Sequence, residues 1–290
     1  MQNYTNHFQM QTLKTIINVQ KTIKTLKLKG KVIGFIPTMG ALHEGHLSLI
    51  RKARKECDIV VISIFVNPLQ FAPTEDFAKY PRVEKSDKML AKKEGVDIII
   101  TPTTEEMYSS SFLTTIQTKY LGNFLCGKSR PGHFDGVTTV VGKLLNIVTP
   151  DKIYFGQKDF QQCVIIKKMI DDLNFPVTMV VCPIVREKSG LALSSRNSYL
   201  TAKQRNEADN LYRSLKEAKK QIKTGVKTSS RIVSVIKKII TQNTSGIIDY
   251  IEVVDTKTLK SQRKLAGKVA ICIAVKFGKT RLIDNIIIKA

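Results

Sequence analysis

The sequence contains few cysteines, and no two of them form a Cys-x-x-Cys pair. An odd number of scattered cysteines argues against a disulfide framework and against a zinc site with cysteine ligands. We therefore expect buried thiols that pack as small apolar side chains. The five residues are Cys57, Cys126, Cys163, Cys182 and Cys272.

Long apolar runs are also absent. No uninterrupted run reaches the roughly 20 residues that a helix needs to span a bilayer. Residues 1–20 are polar and lack the apolar segment of a signal peptide. We expect a cytoplasmic protein that does not contact a membrane, with about the first ten residues poorly ordered. The 290 residues allow one large domain or two ordinary ones.

Acidic residues are scarce, since 24 Asp and Glu stand against 47 Lys and Arg, for a formal net charge of +23. Such a charge attracts polyanions, including nucleic acid. The excess lysines are spread along predicted helix faces, and we find no compact basic block interleaved with aromatic residues. The balance indicates a lysine-rich solvated surface that favours small anionic substrates, without a specific nucleic-acid partner.

Residues 31–51 combine an apolar run, a turn and the start of a helical pattern. Val32–Ile36 reads as a strand, a tight turn with Gly40 follows, and the turn carries His43 and His46. A helix N-terminus presents unpaired N–H groups and the positive end of a dipole, so it binds anions. Histidine donors add to such a phosphate site. The alternative is a pair of surface residues or metal ligands, but the spacing is not His-Glu-x-x-His.

Further apolar, β-branched runs alternate with helical patterns. Unbroken runs of this kind are typical of strands buried on both faces of a parallel sheet. Strands alternating with helices imply right-handed crossovers and a doubly wound sheet. The predicted strands are 32–36, 58–66, 96–101, 152–155 and 177–185, with a possible short strand at 112–118. The predicted helices between them are 47–57, 82–95, 136–148 and 158–173.

We therefore predict an α/β fold with a Rossmann-like doubly wound parallel sheet over residues 1–185. Residues 186–290 read as a smaller C-terminal α+β domain. Its predicted helices are 201–224 and 229–241, and its predicted strands are 249–255, 268–276 and 282–288.

Polar residues follow two other predicted strands. Gln70 lies just beyond the strand that ends near Val66, and Gly156 makes the turn that precedes Lys158. Open α/β sheets bind ligands at the carboxyl ends of their strands. Lys158 and Gln162 are four residues apart, so they share a helix face. A surface helix start is the alternative for this second junction.

Residues 186–197 are rich in Gly, Ser and charge, and contain Ser194, Ser195 and Arg196. Two hydroxyls and a guanidinium in a flexible loop are suited to close over a polyphosphate. The alternative is a hinge between domains, and both can hold together.

Four motifs stand in order along the chain. They are Pro-Thr-Met-Gly-Ala-Leu-His-Glu-Gly-His at 37–46, Phe-Val-Asn-Pro-Leu-Gln-Phe at 65–71, Arg-Pro-Gly-His-Phe-Asp-Gly-Val at 130–137, and Gly-Gln-Lys-Asp-Phe-Gln-Gln at 156–162 with Leu-Ala-Leu-Ser-Ser-Arg-Asn at 191–197. Together they resemble the pantothenate synthetase (pantoate–β-alanine ligase) family of the nucleotidylyltransferase superfamily. The resemblance extends from about residue 13 to the last residue.

The resemblance implies a two-step ligase reaction in a cytoplasmic homodimer. ATP and pantoate give pantoyl adenylate and pyrophosphate, and β-alanine then attacks the adenylate to give pantothenate and AMP. Mg²⁺ is expected with ATP. Two other possibilities are another nucleotidylyltransferase, which should lack the paired glutamines Gln70 and Gln162, and a basic RNA-binding protein on the same fold, which would need a coherent basic face.

The resemblance also implies residue roles. It makes His46 the proton donor and gives His43, Lys158 and Arg196 catalytic roles toward the phosphates. Gln70 and Gln162 match pantoate-binding glutamines, Gln70 also lying near β-alanine, and Asp87 is a candidate partner of Mg²⁺. The residues implied for ATP are Met39, Gly40, Ala41, Leu42, His43, Glu44, Gly45, His46, Gly156, Gln157, Lys158, Asp159, Val185, Leu193, Ser194, Ser195 and Arg196.

The chain departs from the family pattern at three positions. Gln157 stands where Glu is common and Leu193 where Met is common, and we expect little effect because both segments are expected to contact ATP through the backbone. Cys126 lies where many members have Glu, so no role of that acid is transferred to this chain.

Overall fold

The computed structural model describes residues 9–73, 75 and 77–290. The expectation of a poorly ordered N-terminus falls mainly on residues 1–8, which lie outside the described residues. The chain forms two compact units. The first contains the chain up to residue 116, together with 136–155 and 170–182, and the second contains 117–135, 156–169 and 183–290. The predicted division into domains 1–185 and 186–290, which put 117–135 and 156–169 in the first domain, stays a prediction.

The strands and helices are numbered here in chain order. The strands are β1 (Gln11–Leu13), β2 (Ile33–Thr38), β3 (Ile59–Ile64), β4 (Ile98–Ile100), β5 (Lys152–Gly156), β6 (Thr178–Cys182), β7 (Ile247–Asp255), β8 (Lys268–Phe277) and β9 (Thr280–Lys289). The α-helices are α1 (Ile16–Leu28), α2 (Glu44–Arg54), α3 (Glu84–Lys93), α4 (Thr104–Met107), α5 (Leu125–Ser129), α6 (His133–Val148), α7 (Phe160–Asp172), α8 (Ala202–Lys223) and α9 (Ser229–Asn243). Short 3₁₀ turns lie at Pro68–Gln70, Leu121–Asn123, Gln157–Asp159 and Ser195–Tyr199.

The larger sheet has the strand order β1-β4-β3-β2-β5-β6. The pairs β1–β4, β4–β3, β3–β2 and β2–β5 are parallel. The chain leaves β2 toward β3 and β4 on one side and later adds β5 and β6 on the other, so the strand order reverses at β2. This confirms the predicted Rossmann-like, doubly wound sheet.

The central strands of this sheet are apolar because they are buried on both faces. Ile33, Phe35 and Ile36 of β2 and Val60 to Ile62 of β3 are fully buried. Helix α2 shares one core cluster with Ile36, Val60 and Ile62, to which it contributes Leu47, Leu49, Ile50 and Ala53. Burying one such large side chain contributes roughly 1.5–3 kcal/mol, so the strands that precede the polar turns are firmly fixed.

The second unit contains the antiparallel sheet β7-β8-β9, which confirms the smaller α+β part of the prediction. Helices α8 and α9 pack on it through Leu211, Leu215, Ile232 and Ile236, which share one core cluster with β8. Helix α8 begins with a capping box in which Thr201 and Gln204 exchange side-chain and backbone hydrogen bonds.

The possible strand at 112–118 is wrong, because this stretch is irregular. The Ile116 N–H donates to Thr139 Oγ1 at 2.9 Å, and the Ile116 carbonyl accepts from the Thr138 hydroxyl. Side chains of α6 therefore satisfy backbone groups that a strand partner would otherwise use. Among the described helices, none has the length and apolar character needed to cross a membrane.

Candidate active site

The turn after β2 is held by its own neighbours. Thr38 Oγ1 donates to the Ser63 carbonyl at 2.6 Å and accepts the Gly40 N–H at 3.1 Å. Gly40 has φ +83°, and a Cβ there would lie 2.9 Å from Asp87 Oδ2 and 3.0 Å from Ile64 Cγ2. A glycine is therefore required by both the backbone conformation and the available space.

Asp87 of α3 fixes the next two residues of this turn. Its side chain is 1% exposed, and its carboxylate accepts the Ala41 N–H at 3.0 Å and the Leu42 N–H at 2.7 Å. Burial raises the pKa of Asp87 above its ordinary value, and the two N–H donors oppose that rise. The geometry gives Asp87 a structural role in the turn.

His43 and His46 cap helix α2 through reciprocal bonds. His43 is the N-cap, and its Nδ1 accepts the Gly45 N–H at 3.1 Å. His46 Nδ1 accepts the His43 N–H at 3.3 Å, and the two ring centroids are 4.1 Å apart. Because each Nδ1 is an acceptor, a neutral ring carries its proton on Nε2. The same pair that caps the helix thus presents Nε2–H groups near its positive end.

Glu44, the next residue of the motif, is engaged on the outside of α2. Its carboxylate pairs with Arg51, which also binds Glu94 at 2.7 Å. The side chain is therefore used within the first unit, and a contact of Glu44 with ATP would involve its backbone.

Gln70 lies in the 3₁₀ turn after β3 and contacts Met39. Its Nε2 is 3.1 Å from Met39 Sδ, and its Oε1 accepts from Asn67 Nδ2 at 3.1 Å. The structure thus brings a predicted pantoate-binding residue against a predicted ATP-binding residue within the first unit.

Asn67 supports the turn that carries Gln70, and it was not predicted from the sequence. It is 1% exposed, and its Nδ2 also donates to the Gly136 carbonyl at 3.0 Å. Its Oδ1 accepts from Tyr108 Oη at 2.8 Å and from the Leu69 N–H at 3.3 Å. Asn67 therefore orients Gln70 and connects the loop after β3 to the first turn of α6. In the sequence, only the position of Asn67 in the Asn-Pro-Leu-Gln motif indicated such a role.

In the second unit, Gly156–Asp159 forms the turn that opens α7. Lys158 Nζ lies 3.4 Å from Asp159 Oδ1, and Gln162 follows on the first turn of α7. Asn285 of β9 donates to the Gln157 and Lys158 carbonyls, each at 2.9 Å, and accepts from Gln157 Nε2 at 3.1 Å. Asn285 was not found from the sequence, because nothing local marks a partner 127–128 positions away.

The predicted flexible loop at 186–197 is a hydrogen-bonded hairpin followed by a 3₁₀ turn. Arg186 and Ala192 form an antiparallel bridge, and the Leu193 N–H donates to the Val185 carbonyl at 3.0 Å. Two predicted ATP contacts, Val185 and Leu193, are therefore adjacent. Ser194 caps the 3₁₀ turn by accepting the Arg196 N–H at 3.3 Å.

Buried charge supports the base of this hairpin. Arg186 makes a two-pronged ion pair with Asp284 of β9, at 2.6 and 2.8 Å, and its guanidinium lies 3.7 Å from the Tyr212 ring centre. Asn197 is 4% exposed, and its Nδ2 donates to Glu187 Oε1 and the Ala192 carbonyl. Asp284 and Arg186 were not predicted from the sequence as supporting residues.

Cys126 lies in a buried group of the second unit. Its sulfur is 3.2 Å from Tyr250 Oη and 3.5 Å from Arg281 Nη1, while Arg281 pairs with Asp249 at 2.8 Å. Asp249 therefore supplies the carboxylate that pairs with Arg281 beside Cys126. All five cysteines are buried thiols, as predicted.

The predicted site residues fall into two groups. Met39–His46, Gln70 and Asp87 lie in the first unit, and Gly156–Asp159, Gln162, Val185 and Leu193–Arg196 lie in the second. Across residues 9–73, 75 and 77–290, no three or more His, Cys, Asp or Glu side chains group so as to hold a metal ion.

Sequence comparisons point in one direction. The model of the pantoate-beta-alanine ligase family matches residues 11–287. A pantothenate synthetase of Caldicellulosiruptor bescii is 52% identical over 281 residues, covering 97% of this chain and 100% of the relative. The enzyme of the same name from Moorella thermoacetica is 50% identical over 280 residues, covering 97% and 99%.

Solved structures agree. Pantothenate synthetase from Thermus thermophilus superposes with a TM-score of 0.91 at 39% identity, covering 96% of this chain and 99% of the other. Pantoate-beta-alanine ligase from Francisella tularensis, complexed with "Beta-gamma ATP and Beta-alanine", gives a TM-score of 0.78 at 36% identity, covering 96% and 97%.

Proposed function

The chain belongs to the pantoate–β-alanine ligase family, and on that premise we propose that it joins pantoate to β-alanine in an ATP-dependent reaction. The observation that carries the proposal is the match over nearly the whole chain, which includes the four motifs. The two alternatives, another nucleotidylyltransferase and an RNA-binding protein, are not favoured, since the similar relatives described above are pantothenate synthetases.

The proposed chemistry has two steps. A carboxylate is a poor acyl donor, so pantoate first attacks the α-phosphorus of ATP and expels pyrophosphate. The amine of β-alanine then attacks the acyl carbon of the adenylate and expels AMP. The protein must neutralise the triphosphate, align the carboxylate and keep water from the mixed anhydride.

In the first unit, we assign phosphate contacts to the turn Met39–His46. His43 and His46 hold their Nδ1 atoms in the helix cap, so their Nε2–H groups are the donors for phosphate oxygens. His46 is proposed as the proton donor during adenylation. Gln70, already oriented by Asn67, is proposed to bind pantoate.

In the second unit, Lys158 is proposed to neutralise phosphate charge, and Gln162 to bind pantoate. Val185 is proposed to contact adenine through its backbone. Leu193–Arg196 is proposed to contact the triphosphate, with Arg196 supplying a forked donor.

Mg²⁺ is expected with ATP, but Asp87 does not fit as its ligand. Both carboxylate oxygens accept backbone N–H groups of the turn, and the side chain is buried. A Mg²⁺ ligand needs oxygens that face the ion with near-octahedral geometry. A homodimer and a cytoplasmic location are further proposals that rest on the family alone.

The decisive experiment measures exchange of labelled pyrophosphate into ATP with pantoate present and β-alanine absent. We expect exchange, because the adenylate must form before the amine attacks. If AMP and pantothenate form with all three substrates but exchange is absent, the two-step order is wrong. If neither product forms, the proposed function itself is wrong.

A further inference from the structure

Strand β9 carries two adjacent polar residues that lie outside the four sequence motifs. Asp284 and Asn285 are each 3% exposed, although both carry polar groups. Burying such groups is unfavourable unless each is paired. Their partners identify what the two residues hold in place.

Asn285 uses both donors and its acceptor on one short segment. Its Nδ2 donates to the carbonyls of Gln157 and Lys158, and its Oδ1 accepts from Gln157 Nε2. One planar amide thus fixes two consecutive peptide groups, and with them the direction in which the Lys158 side chain leaves the backbone. A merely space-filling residue would leave these carbonyls without this constraint.

Asp284 holds the other stretch. Its carboxylate binds the Arg186 guanidinium with both oxygens, and Oδ1 also accepts the Asn285 N–H at 2.7 Å. Arg186 donates further to the Gly190 carbonyl and lies over Tyr212. The ion pair therefore anchors the hairpin that leads to Leu193–Arg196.

A buried ion pair of this kind is weak support for stability, because apolar residues of similar volume often stabilise as well. The pair does restrict geometry, because a forked guanidinium–carboxylate contact is directional. This restriction falls on both segments of the second unit to which phosphate contacts are assigned.

We propose that Asn285 is a positioning residue for adenylation, which aims Lys158, and that Asp284 acts likewise on the hairpin through Arg186. The proposal rests on the proposed function, since it concerns how this chain orients residues assigned to ATP.

The residue at position 157 follows from the same contact. The family commonly has Glu there, whereas this chain has Gln, whose Nε2 donates to Asn285 Oδ1. The Gln157→Glu substitution would place a carboxylate oxygen against that Oδ1. If the Asn285 amide rotated so that Nδ2 donated to this carboxylate, Oδ1 would face the Gln157 and Lys158 carbonyls, and both hydrogen bonds to them would be lost. We expect Gln157→Glu to slow adenylation, which Gln157→Ala should do less strongly.

The main test is Asn285→Ala, with single-turnover adenylation and the second step measured separately. Preformed pantoyl adenylate and β-alanine serve for the second step. We expect adenylation to slow about 10–100-fold, since a displacement near 1 Å can cost that much, and the second step to be unchanged. Asn210→Ala is the matched control, because the Asn210 amide also donates to two carbonyls, of Glu207 and Asn243, between α8 and α9.

A double-mutant cycle distinguishes positioning from simple destabilisation. In a Lys158→Ala background, Asn285→Ala should have little further effect on adenylation, because its target is gone. If Asn285→Ala does not fold, Asn285→Asp keeps the volume and removes both N–H donors, and Gln157→Glu tests the same contact from the other side.

Three results would overturn the proposal. The first is a wild-type rate of adenylation in every soluble variant at position 285 or 157. The second is equal slowing of adenylation and of the second step in Asn285→Ala. The third is full additivity of Asn285→Ala and Lys158→Ala in their effects on adenylation. Absence of pantoate-dependent exchange in the wild-type protein would instead overturn the proposed function.

Discussion

The turn Met39–His46 and the turn Gly156–Asp159 each follow a strand of the parallel sheet, but they are held in different ways. In the first, His43 binds the nearby Gly45 and His46. Asp87, 45–46 positions away, binds Ala41 and Leu42 of the same turn. The second depends on Asn285, 127–128 positions away. The helix cap of the first turn is therefore encoded in its motif, whereas the motif of the second turn does not contain Asn285.

The two anchoring carboxylates differ in a similar way. Asp87 binds backbone N–H groups of the first turn, and Asp284 binds the Arg186 guanidinium beside the hairpin. Burial raises the pKa of both, and Arg186 opposes the rise at Asp284. The partners of Asp87 are backbone N–H groups, which stay in place only if the turn does not move. The partner of Asp284 is a side chain, so Asp284 and Arg186 can be substituted together.

The largest effect should come from separating the helix-capping role of His46 from its proposed role as a donor to phosphate. Asn carries its oxygen near the position of Nδ1, so His46→Asn keeps the cap but loses the Nε2 donor. We expect adenylation to fall on the order of 10²–10³-fold, or about 3–4 kcal/mol, with thermal stability near wild type. His46→Gln should show the reverse, with a lower melting temperature and more activity. Slowing of only the second step in His46→Asn would exclude its role in adenylation.

Loss of the Lys158 charge should have a similar or slightly smaller effect on adenylation. Lys158→Ala removes the charge that is proposed to stabilise the transition state, and we expect a decrease on the order of 10²-fold. Lys158→Arg should restore little of the adenylation rate, because a planar guanidinium does not reproduce the geometry of a compact ammonium group. Arg196→Ala should be milder still. Activity that returns on cooling would indicate a structural role instead.

Gly40→Ala tests how tightly the first turn is fixed, with Gly30→Ala as its control. Both glycines have positive φ, at +83° and +70°, but a Cβ at Gly30 has nothing within 4 Å. The control should lose about 1–2 kcal/mol from backbone strain alone. Gly40→Ala should lose a further 1–3 kcal/mol or so from the contacts with Asp87 and Ile64. Equal losses in urea unfolding would show that the turn can move.

The smallest effect concerns pH. The pKa of Asp87 is raised in the folded protein, so its favourable contribution is complete below the ordinary value of 3.8 and is lost as the pH rises through the folded pKa. Asp87→Asn lacks this dependence. The free energy of unfolding of the wild type, minus that of the variant, should therefore decrease as the pH rises.

Glu56 provides a control of opposite sign for this measurement. Hydrogen bonds from Lys52 and Tyr154 lower its pKa from 4.5 to about 2. Its contribution is present above 4.5 and is lost as the pH falls toward 2. The wild type minus Glu56→Gln should thus change in the other direction in urea titrations, and matching slopes for the two variants would contradict the Asp87 assignment.

The sheet could be predicted because β2 and β3 are largely apolar runs buried on both faces. Helix α1 was missed, although Val19, Ile23 and Leu26 are buried at helical spacing. Exposed Ile17 and Leu28 blur that pattern in the sequence. Strand β1 has three residues, too few for periodicity to mark it.

For the site, residues within motifs were predicted and their supports were not. His43 and His46 were found because a strand, a turn and a helix meet around them. Asn67 lay inside a quoted motif but gave no sign that it binds Gly136. Nothing in the sequence of strand β9 marks Asp284 and Asn285 as supports of the site. Only their tertiary contacts with Arg186 and Gln157 show that role.

The position of Asn285 has a consequence for the order of events during synthesis. Strand β9 leaves the ribosome after every other strand and helix described, whereas the Gln157 and Lys158 peptide groups are made far earlier. A nascent chain that stops before Thr280 therefore lacks the amide that sets the direction of Lys158. Such a chain can complete the His43–His46 cap, so we expect arrested chains to acquire the first turn well before they can activate pantoate.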